Sequence, residues 1–227
     1  MPKFNVKKYK HFSYPTENVF AAACAALRIN NGEYLKEDVL SYDEDVVQVT
    51  ALANKTLVRN LLNGSDSFGT ITDEDREQGM LVRRHYQGLT FKILAGNRLN
   101  DFDHGAMTVS NSEAVTSYLE TGMIAYLPVG YIRNKARNTV DQRLVDASGY
   151  LATVGQMVRG EIEVVKSYFN GEWNVYYITG LTDGNKAVSF SYRADIKAGE
   201  RITVSGRVKA TRNDKYEVTQ LTRVKVL

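Results

Sequence analysis

The sequence predicts an α+β protein in which a mainly helical N-terminal domain, residues 1–150, precedes a five-stranded β-barrel, residues 151–227. Two patterns support this division. Apolar residues recur at helical spacing in several segments of the first region, whereas apolar and polar residues alternate from Met157 onward, as they do in half-buried strands. The chain is 43% hydrophobic and 10% aromatic and has three prolines, which is the composition of an ordered globular protein.

Helical patterns are expected in several parts of the first region. The residues Pro-Thr-Glu at 15–17 precede an apolar stripe over 19–27, which ends at Asn30-Asn31-Gly32. A second helix is expected over 47–62. The residues Thr-Asp-Glu-Asp at 72–75 form a capping-box pattern that introduces a helix over 76–86. Residues 91–94 are interpreted as a short helix and residues 97–110 as a loop. Asn111 or Ser112 is expected to cap a further helix through Leu119. Residues 124–130 are interpreted as an apolar turn or short strand, and residues 139–153 as either helix or linker.

Five runs rich in β-branched and aromatic residues form the predicted antiparallel barrel. Turn-forming residues such as Asn170-Gly171 and Asp183-Gly184 separate them. Gly160 and Gly206 are expected at strand bends, where a missing side chain permits strong curvature. The runs cover residues 157–166, 173–179, 186–192, 201–209 and 215–226.

The order and spacing of these runs resemble the OB-fold, a five-stranded Greek-key barrel that binds oligonucleotides and oligosaccharides. The resemblance lies in Val158-x-Gly160-x-Ile162 and in residues 176–184 followed by 187–190, which look like the first three strands. Residues 198–208 and 216–226 look like the fourth and fifth. The segment 194–198 is too short for the helix that these barrels often carry between the third and fourth strands.

The resemblance implies a ligand groove bordered by the loop between strands one and two and the loop between strands four and five. An outward aromatic residue on strand two, assigned here to Tyr176, would stack on a base; packing of Tyr176 inside the protein is the alternative. Aromatic and basic side chains of the barrel are the candidate nucleic-acid-binding residues, since stacking and phosphate attraction act together in such grooves. They are Lys166, Tyr168, Phe169, Trp173, Tyr176, Lys186, Arg193, Lys209, Arg212, Lys215 and Tyr216.

The positive charge of the chain is concentrated in the barrel. Residues 151–227 contain twelve Lys/Arg and eight Asp/Glu, whereas residues 1–150 contain seventeen and eighteen. A net positive module favours a polyanionic partner. Two more basic segments have open interpretations: residues 133–143 as phosphate contacts or a solvated helix face, and residues 3–14 as a nucleic-acid contact or an edge strand on a partner.

The sequence predicts no enzyme, catalytic residue, metal or cofactor, because it lacks the common nucleophile, zinc-protease, phosphate-loop and Cys-x-x-Cys patterns. The acidic clusters at 73–77 and 100–105 contain metal-ligating residue types, but their spacing is typical of a helix start and a turn. The single cysteine, Cys24, cannot form an internal disulfide and is interpreted as a buried apolar residue. Neither a signal peptide nor a membrane-spanning run is evident, so a cytoplasmic location is expected, in the host if the protein is phage-encoded.

The leading hypothesis is a non-enzymatic protein that binds single-stranded nucleic acid, DNA in particular, and assists replication or recombination. In this respect the chain resembles phage-type single-stranded DNA-binding and replication accessory proteins. The helical region would then bind a replication protein or a second copy of the chain. Such proteins often end in an acidic tail, but here residues 221–227 belong to the fifth strand, so partners would use the acidic residues 43–45 or 73–77. The alternative is a structural or protein-interaction adaptor, such as a virion component or a polymerase-associated subunit.

Overall fold

The structure, a computed structural model, describes residues 12–43, 46–65 and 67–227. The chain divides into two compact units, Met1–Asn134 and Lys135–Leu227. The first unit is mainly helical and the second is built on a closed five-stranded β-barrel, which confirms the predicted α+β class.

Helices and two small sheets form the first unit. The helices are α1 (Thr16–Ile29), α2 (Asn54–Leu62), α3 (Asp73–Gln87), α4 (Leu89–Leu94), α5 (Asp101–Asn111) and the first part of α6 (Tyr118–Val145), which continues into the second unit. The sheets pair β1 (Tyr14–Pro15) with β4 (Ala114–Val115) and β2 (Val39–Asp43) with β3 (Val46–Ala51).

Helix α1 is the centre of this unit, and its residues from Val19 to Leu27 are all buried. Gly79 of α3 lies against its backbone: a Cβ at position 79 would be 2.8 Å from the Ala21 nitrogen and 2.9 Å from the Phe20 carbonyl carbon. No real Cβ approaches backbone so closely, so the α1–α3 packing depends on glycine at this position.

The predicted capping box at the start of α3 is confirmed. The Asp75 backbone N–H donates to the Thr72 hydroxyl at 3.2 Å, and the Thr72 N–H donates to the Asp75 carboxylate at 2.9 Å. Arg28 of α1 also donates to both oxygens of Asp75, at 3.1 and 2.8 Å. A local cap therefore also fixes α3 against α1.

The predicted helix over 47–62 is wrong in its first part, because residues 46–51 form β3 and only α2 is helical. The run Val-Val-Gln-Val-Thr-Ala is dominated by β-branched side chains, which favour strands. The predicted loop over 97–110 is also wrong, since α5 occupies most of it. Asn100, read as a turn residue, is instead the N-cap of α5 and accepts from the Asp103 N–H at 2.7 Å.

Two further predictions in this region are wrong. Asn111 and Ser112 stand at the C-terminal end of α5 and start no helix. The apolar residues 124–130, interpreted from the sequence as an apolar turn or short strand, lie inside α6 together with Pro128. Proline removes one helical hydrogen bond, but Ile124 and Leu127 are fully buried in the core, and this burial favours keeping the helix intact.

The barrel strands close in the order β5-β6-β7-β9-β8, an OB-like arrangement. All neighbouring pairs are antiparallel except β7 and β9, which are parallel. The expectation of a fully antiparallel barrel is therefore wrong, and for a general reason: five strands in a closed ring cannot alternate direction throughout. The strands are β5 (Met157–Asn170), β6 (Val175–Thr182), β7 (Ala187–Tyr192), β8 (Arg201–Asn213) and β9 (Glu217–Val226).

Aliphatic and aromatic side chains from all five strands fill the barrel interior. Residues 193–200, all described, form no helix between β7 and β8, and Ile196 from this connection packs into the core instead. The buried core residues are Ile162, Val164, Ile178, Val188, Phe190, Ile196, Val204, Val208 and Leu221.

The two glycines expected at bends behave differently. Gly206 lies at a register shift between β8 and β9, and a Cβ there would be 3.1 Å from Val224. Gly160, by contrast, pairs in regular register with Val204, and apart from its chain neighbours no described atom would lie within 4 Å of its Cβ; the bend expected there stays a prediction. The irregularity of β5 falls between Val164 and Lys166.

Among the described residues, no helix is long and apolar enough to cross a membrane, and no group of three His, Cys, Asp or Glu side chains is placed to hold a metal ion. Cys24 is buried in the helical unit, and burial raises the pKa of its thiol to about 12. The interpretation of Cys24 as a buried apolar residue is confirmed.

Candidate nucleic-acid interface

The β5–β6 hairpin carries two rows of aromatic side chains. Tyr168 pairs with Tyr177 across the strands, and the next pair along is Phe169 with Tyr176. Successive residues of a strand point to opposite faces, so the two pairs lie on opposite faces of the hairpin.

The pair Tyr168 and Tyr177 lies on the outer face. Their exposed fractions are 67% and 47%, and Ser191 of β7 continues the same row beside Tyr177. Trp173, in the turn of the hairpin, is 67% exposed. These three residues are called the hairpin aromatics: Tyr168, Trp173 and Tyr177. Phe169 is also exposed but lies on the opposite face, with Tyr176.

Tyr176 does not lie on the outer face, so its predicted orientation is wrong. It is half-buried, packs against the barrel core, and its ring centroid is 5.0 Å from that of Phe169. Ile178, two residues further on, is 1% exposed. Strand alternation therefore places Tyr176 inward as well, and Tyr177, absent from the predicted site, is the outward aromatic residue of β6.

Two of the predicted basic residues, Lys166 and Lys215, are paired with one carboxylate, Asp141 of α6. Asp141 Oδ1 accepts from the Lys166 ammonium group, and Asp141 Oδ2 accepts from Lys215 Nζ at 3.0 Å. The hydrogen bond from Lys166, followed by that from Lys215, lowers the pKa of Asp141 below its ordinary value. The carboxylate therefore stays ionised near neutral pH and offsets one of the two positive charges.

Another basic residue of α6 is also paired. Arg143 donates through two nitrogens to the two Glu163 oxygens, both at 2.9 Å. This fork-to-fork geometry is among the stronger ion-pair arrangements. Arg143 thus ties α6 to β5 while its side chain stays 43% exposed. Its role as a phosphate contact or as part of a solvated helix face stays a prediction.

The chain segment from α6 to β5 covers one end of the outer barrel face. Leu144 and Ala147 pack with Val165, Leu181 and Ala187, all of them buried. Tyr216, a predicted binding residue, packs partly buried against this cluster. Lys186, another one, donates to the Tyr150 carbonyl at 3.0 Å. These two side chains therefore have packing roles within the second unit.

The remaining predicted cations, Arg193, Lys209 and Arg212, are exposed, and no ion pair involves them within the described part of the chain. Arg193 directly follows Tyr192, which pairs with Tyr176 of the hairpin. The other two lie on β8, one beside a register shift against β9. The basic residues up to position 11 and the acidic Glu44 and Asp45 fall outside the described residues.

The second unit as a whole is positively charged, with fifteen Lys/Arg against ten Asp/Glu, whereas the first has fourteen against sixteen. Comparison of the chain with protein-family models, with curated proteins and with solved structures found no match. The candidate site therefore rests on its own geometry.

Proposed function

We propose that the protein binds single-stranded nucleic acid, DNA in particular, through the outer face of the β5–β6 hairpin, as a non-enzymatic accessory to replication or recombination. The observation that carries this proposal is the exposed cross-strand pair Tyr168 and Tyr177 with Trp173 at the hairpin turn. Exposed aromatic rings are costly to leave in water and are the platforms on which unpaired bases stack, at about 1–3 kcal/mol per base.

Stacking favours single strands over duplexes. In a duplex each base is already stacked between its neighbours, so a ring on a protein surface has no free base face to cover unless the duplex opens. The barrel type supports the same choice, because OB-like barrels bind extended single strands across their outer strands.

The cations without a partner among the described residues set an expected salt dependence. If Arg193, Lys209 and Arg212 each neutralise one phosphate, the logarithm of the binding constant should fall against the logarithm of salt concentration with a slope of about −2, since single strands give about −0.7 per contact. Lys166 and Lys215 contribute little while Asp141 holds them.

Fluorescence anisotropy tests the proposal. A labelled twelve-nucleotide oligothymidine and a duplex of the same length would be titrated with the full chain at about 50 mM salt, where phosphate contacts are strong. Tighter binding of the single strand with the stated salt slope supports the proposal. Absence of binding, or equal binding of the duplex, contradicts it.

One observation favours the alternative of a protein-interaction adaptor. Segment 140–147 and Asp141 already occupy part of the outer barrel face, and the apolar ring surface of the hairpin also suits a protein partner. An adaptor would bind its partner without a nucleic-acid requirement. Anisotropy that stays unchanged with both oligonucleotides at about 50 mM salt would favour this alternative.

A further inference from the structure

Asp141, a residue of α6, lies beside the proposed binding face of the barrel. Its partner Lys166 precedes Tyr168 by two residues on β5, and the ladder places Lys166 opposite Thr179 and Tyr168 opposite Tyr177. Residues two apart in a strand share a face and lie about 7 Å apart. The cluster of Asp141, Lys166 and Lys215 therefore adjoins the hairpin aromatics.

The position of Asp141 along the barrel is set by the packing of its own helix. Leu144, one turn further along α6, is fully buried against Val165, Leu181 and Ala187, and Arg143 is paired with Glu163. The backbone of Asp141 is consequently held beside the two lysines, because moving this part of α6 would expose the apolar cluster to water.

A phosphate oxygen and a carboxylate oxygen are both negatively charged hydrogen-bond acceptors, so a lysine can bind either one. Each oxygen of Asp141 already accepts from one ammonium group. A phosphate that bound Lys166 or Lys215 would therefore either displace the carboxylate or take a remaining N–H of the ammonium group beside it. Its approach would also meet the negative charge of Asp141 itself.

From this geometry we infer that Asp141 is an internal competitor of the nucleic-acid backbone, which weakens single-strand binding by occupying Lys166 and Lys215. This inference rests on the proposed function. On this inference Asp141 limits the affinity for single strands and keeps binding dependent on stacking at the hairpin aromatics. Removal of the carboxylate should therefore strengthen binding.

The test compares Asp141→Asn with the matched control Asp146→Asn. Asp146 follows the same helix and loses the same charge when changed, but its carboxylate accepts from Gln142 and from neither lysine. Binding of labelled twelve-nucleotide oligothymidine is measured by anisotropy at several salt concentrations. Thermal melting of each variant confirms that it is folded.

Asp141→Asn should bind about tenfold more tightly than wild type at about 50 mM salt, and its salt slope should steepen by up to about 1.4 because two further phosphates are neutralised. The affinity of Asp146→Asn for oligothymidine should increase far less. Adding Lys166→Ala and Lys215→Ala to Asp141→Asn should abolish the gain, which shows that the two lysines mediate it.

The failures of the inference and of the proposed function are distinct. If the wild type binds and Asp141→Asn binds equally or more weakly, Asp141 positions the lysines or is merely structural, and the inference is overturned. If Asp146→Asn gains as much as Asp141→Asn, general charge explains the effect and the inference again fails. If no variant binds oligothymidine, the proposed function fails and this inference fails with it.

Discussion

Tyr168 of β5 stands directly opposite Tyr177 of β6, and both side chains are exposed on the outer face of the barrel. Directly opposed residues have Cβ atoms about 5 Å apart, so the two rings project from neighbouring points of the same face. Their neighbours in the chain, Phe169 and Tyr176, face the other way and are in ring contact with each other. One hairpin therefore carries one aromatic pair on its outer face and a second on the opposite face. In the second pair Tyr176 packs against the barrel core, whereas Phe169 is 46% exposed.

This separation predicts opposite outcomes for two adjacent substitutions. Tyr177→Ala should weaken oligothymidine binding by about 1–3 kcal/mol, the cost of losing one stacked base. Tyr176→Ala should instead lower the free energy of unfolding by about 2–3 kcal/mol, somewhat less than for a fully buried aromatic residue. Anisotropy and urea denaturation measure the two effects.

The control for the first substitution is Tyr177→Phe, which keeps the ring and should bind as wild type does. If Tyr177→Ala binds normally while Tyr176→Ala loses affinity without losing stability, the outward assignment of Tyr177 is wrong.

The close approach of α1 and α3 predicts a marked effect at a position with no polar chemistry. Gly79→Ala should destabilise the helical unit by about 1–3 kcal/mol, because the added Cβ meets the backbone of Phe20 and Ala21, which cannot rotate away. Denaturant unfolding followed by circular dichroism measures the change.

Gly122→Ala in α6 provides the comparison, because outside the neighbouring backbone of its own helix no described atom lies within 4 Å of the Cβ that it would add. That variant should be more stable than wild type by about 0.5–1 kcal/mol, since alanine is the better helix former. Similar effects of the two substitutions would mean that the tight α1–α3 packing is absent.

The Arg28–Asp75 pair predicts a pH-dependent contribution to stability. Burial raises the pKa of Asp75, but the hydrogen bonds from Arg28 and Thr72 outweigh it and hold this pKa below its ordinary value. A carboxyl group with a lowered folded-state pKa stabilises the fold above its unfolded pKa of about 4, and this contribution is lost as the pH falls towards the folded-state pKa.

Asp75→Asn should therefore lower the free energy of unfolding by about 1.5–3 kcal/mol at neutral pH, the range for hydrogen bonds to a charged group. The difference in free energy of unfolding between variant and wild type should decrease as the pH falls below about 4. The exposed Asp73, in the same helical turn, offers a matched Asp73→Asn variant with an expected effect of about 0.5 kcal/mol or less. A gap that stays constant from pH 7 to about pH 3 would contradict the proposed ionic contribution.

Local sequence signals predicted the parts of the fold that local chemistry determines. Strand alternation identified all five barrel strands, and the Thr72–Asp75 capping box identified the start of α3. Errors arose where one local signal has two readings. Asn100 suits a turn as well as a helix N-cap, and the structure has the N-cap. Pro128 is a residue type that usually interrupts helices, but it lies inside α6, where core packing favours the helix.

The candidate site was predictable as a region but not in its detail. Alternation divided the residues of β6 into two faces, and only the burial of Ile178 shows which face is inward. The pairing of Asp141 with Lys166 and Lys215 joins residues 25 and 74 positions apart. Periodicity and motif spacing carry no information about such contacts, which depend on how α6 packs on the barrel.

Trp173 offers the most direct measurement of whether bases stack on the hairpin, because it is the only tryptophan of the chain and is exposed at the hairpin turn. Its fluorescence would be followed while unlabelled twelve-nucleotide oligothymidine is added, with a duplex of equal length as the comparison. Saturable quenching by the single strand, weakened by salt and absent with the duplex, is the expected result. Unchanged Trp173 fluorescence at oligonucleotide concentrations that saturate the anisotropy signal would place the ligand elsewhere and contradict binding at the hairpin aromatics.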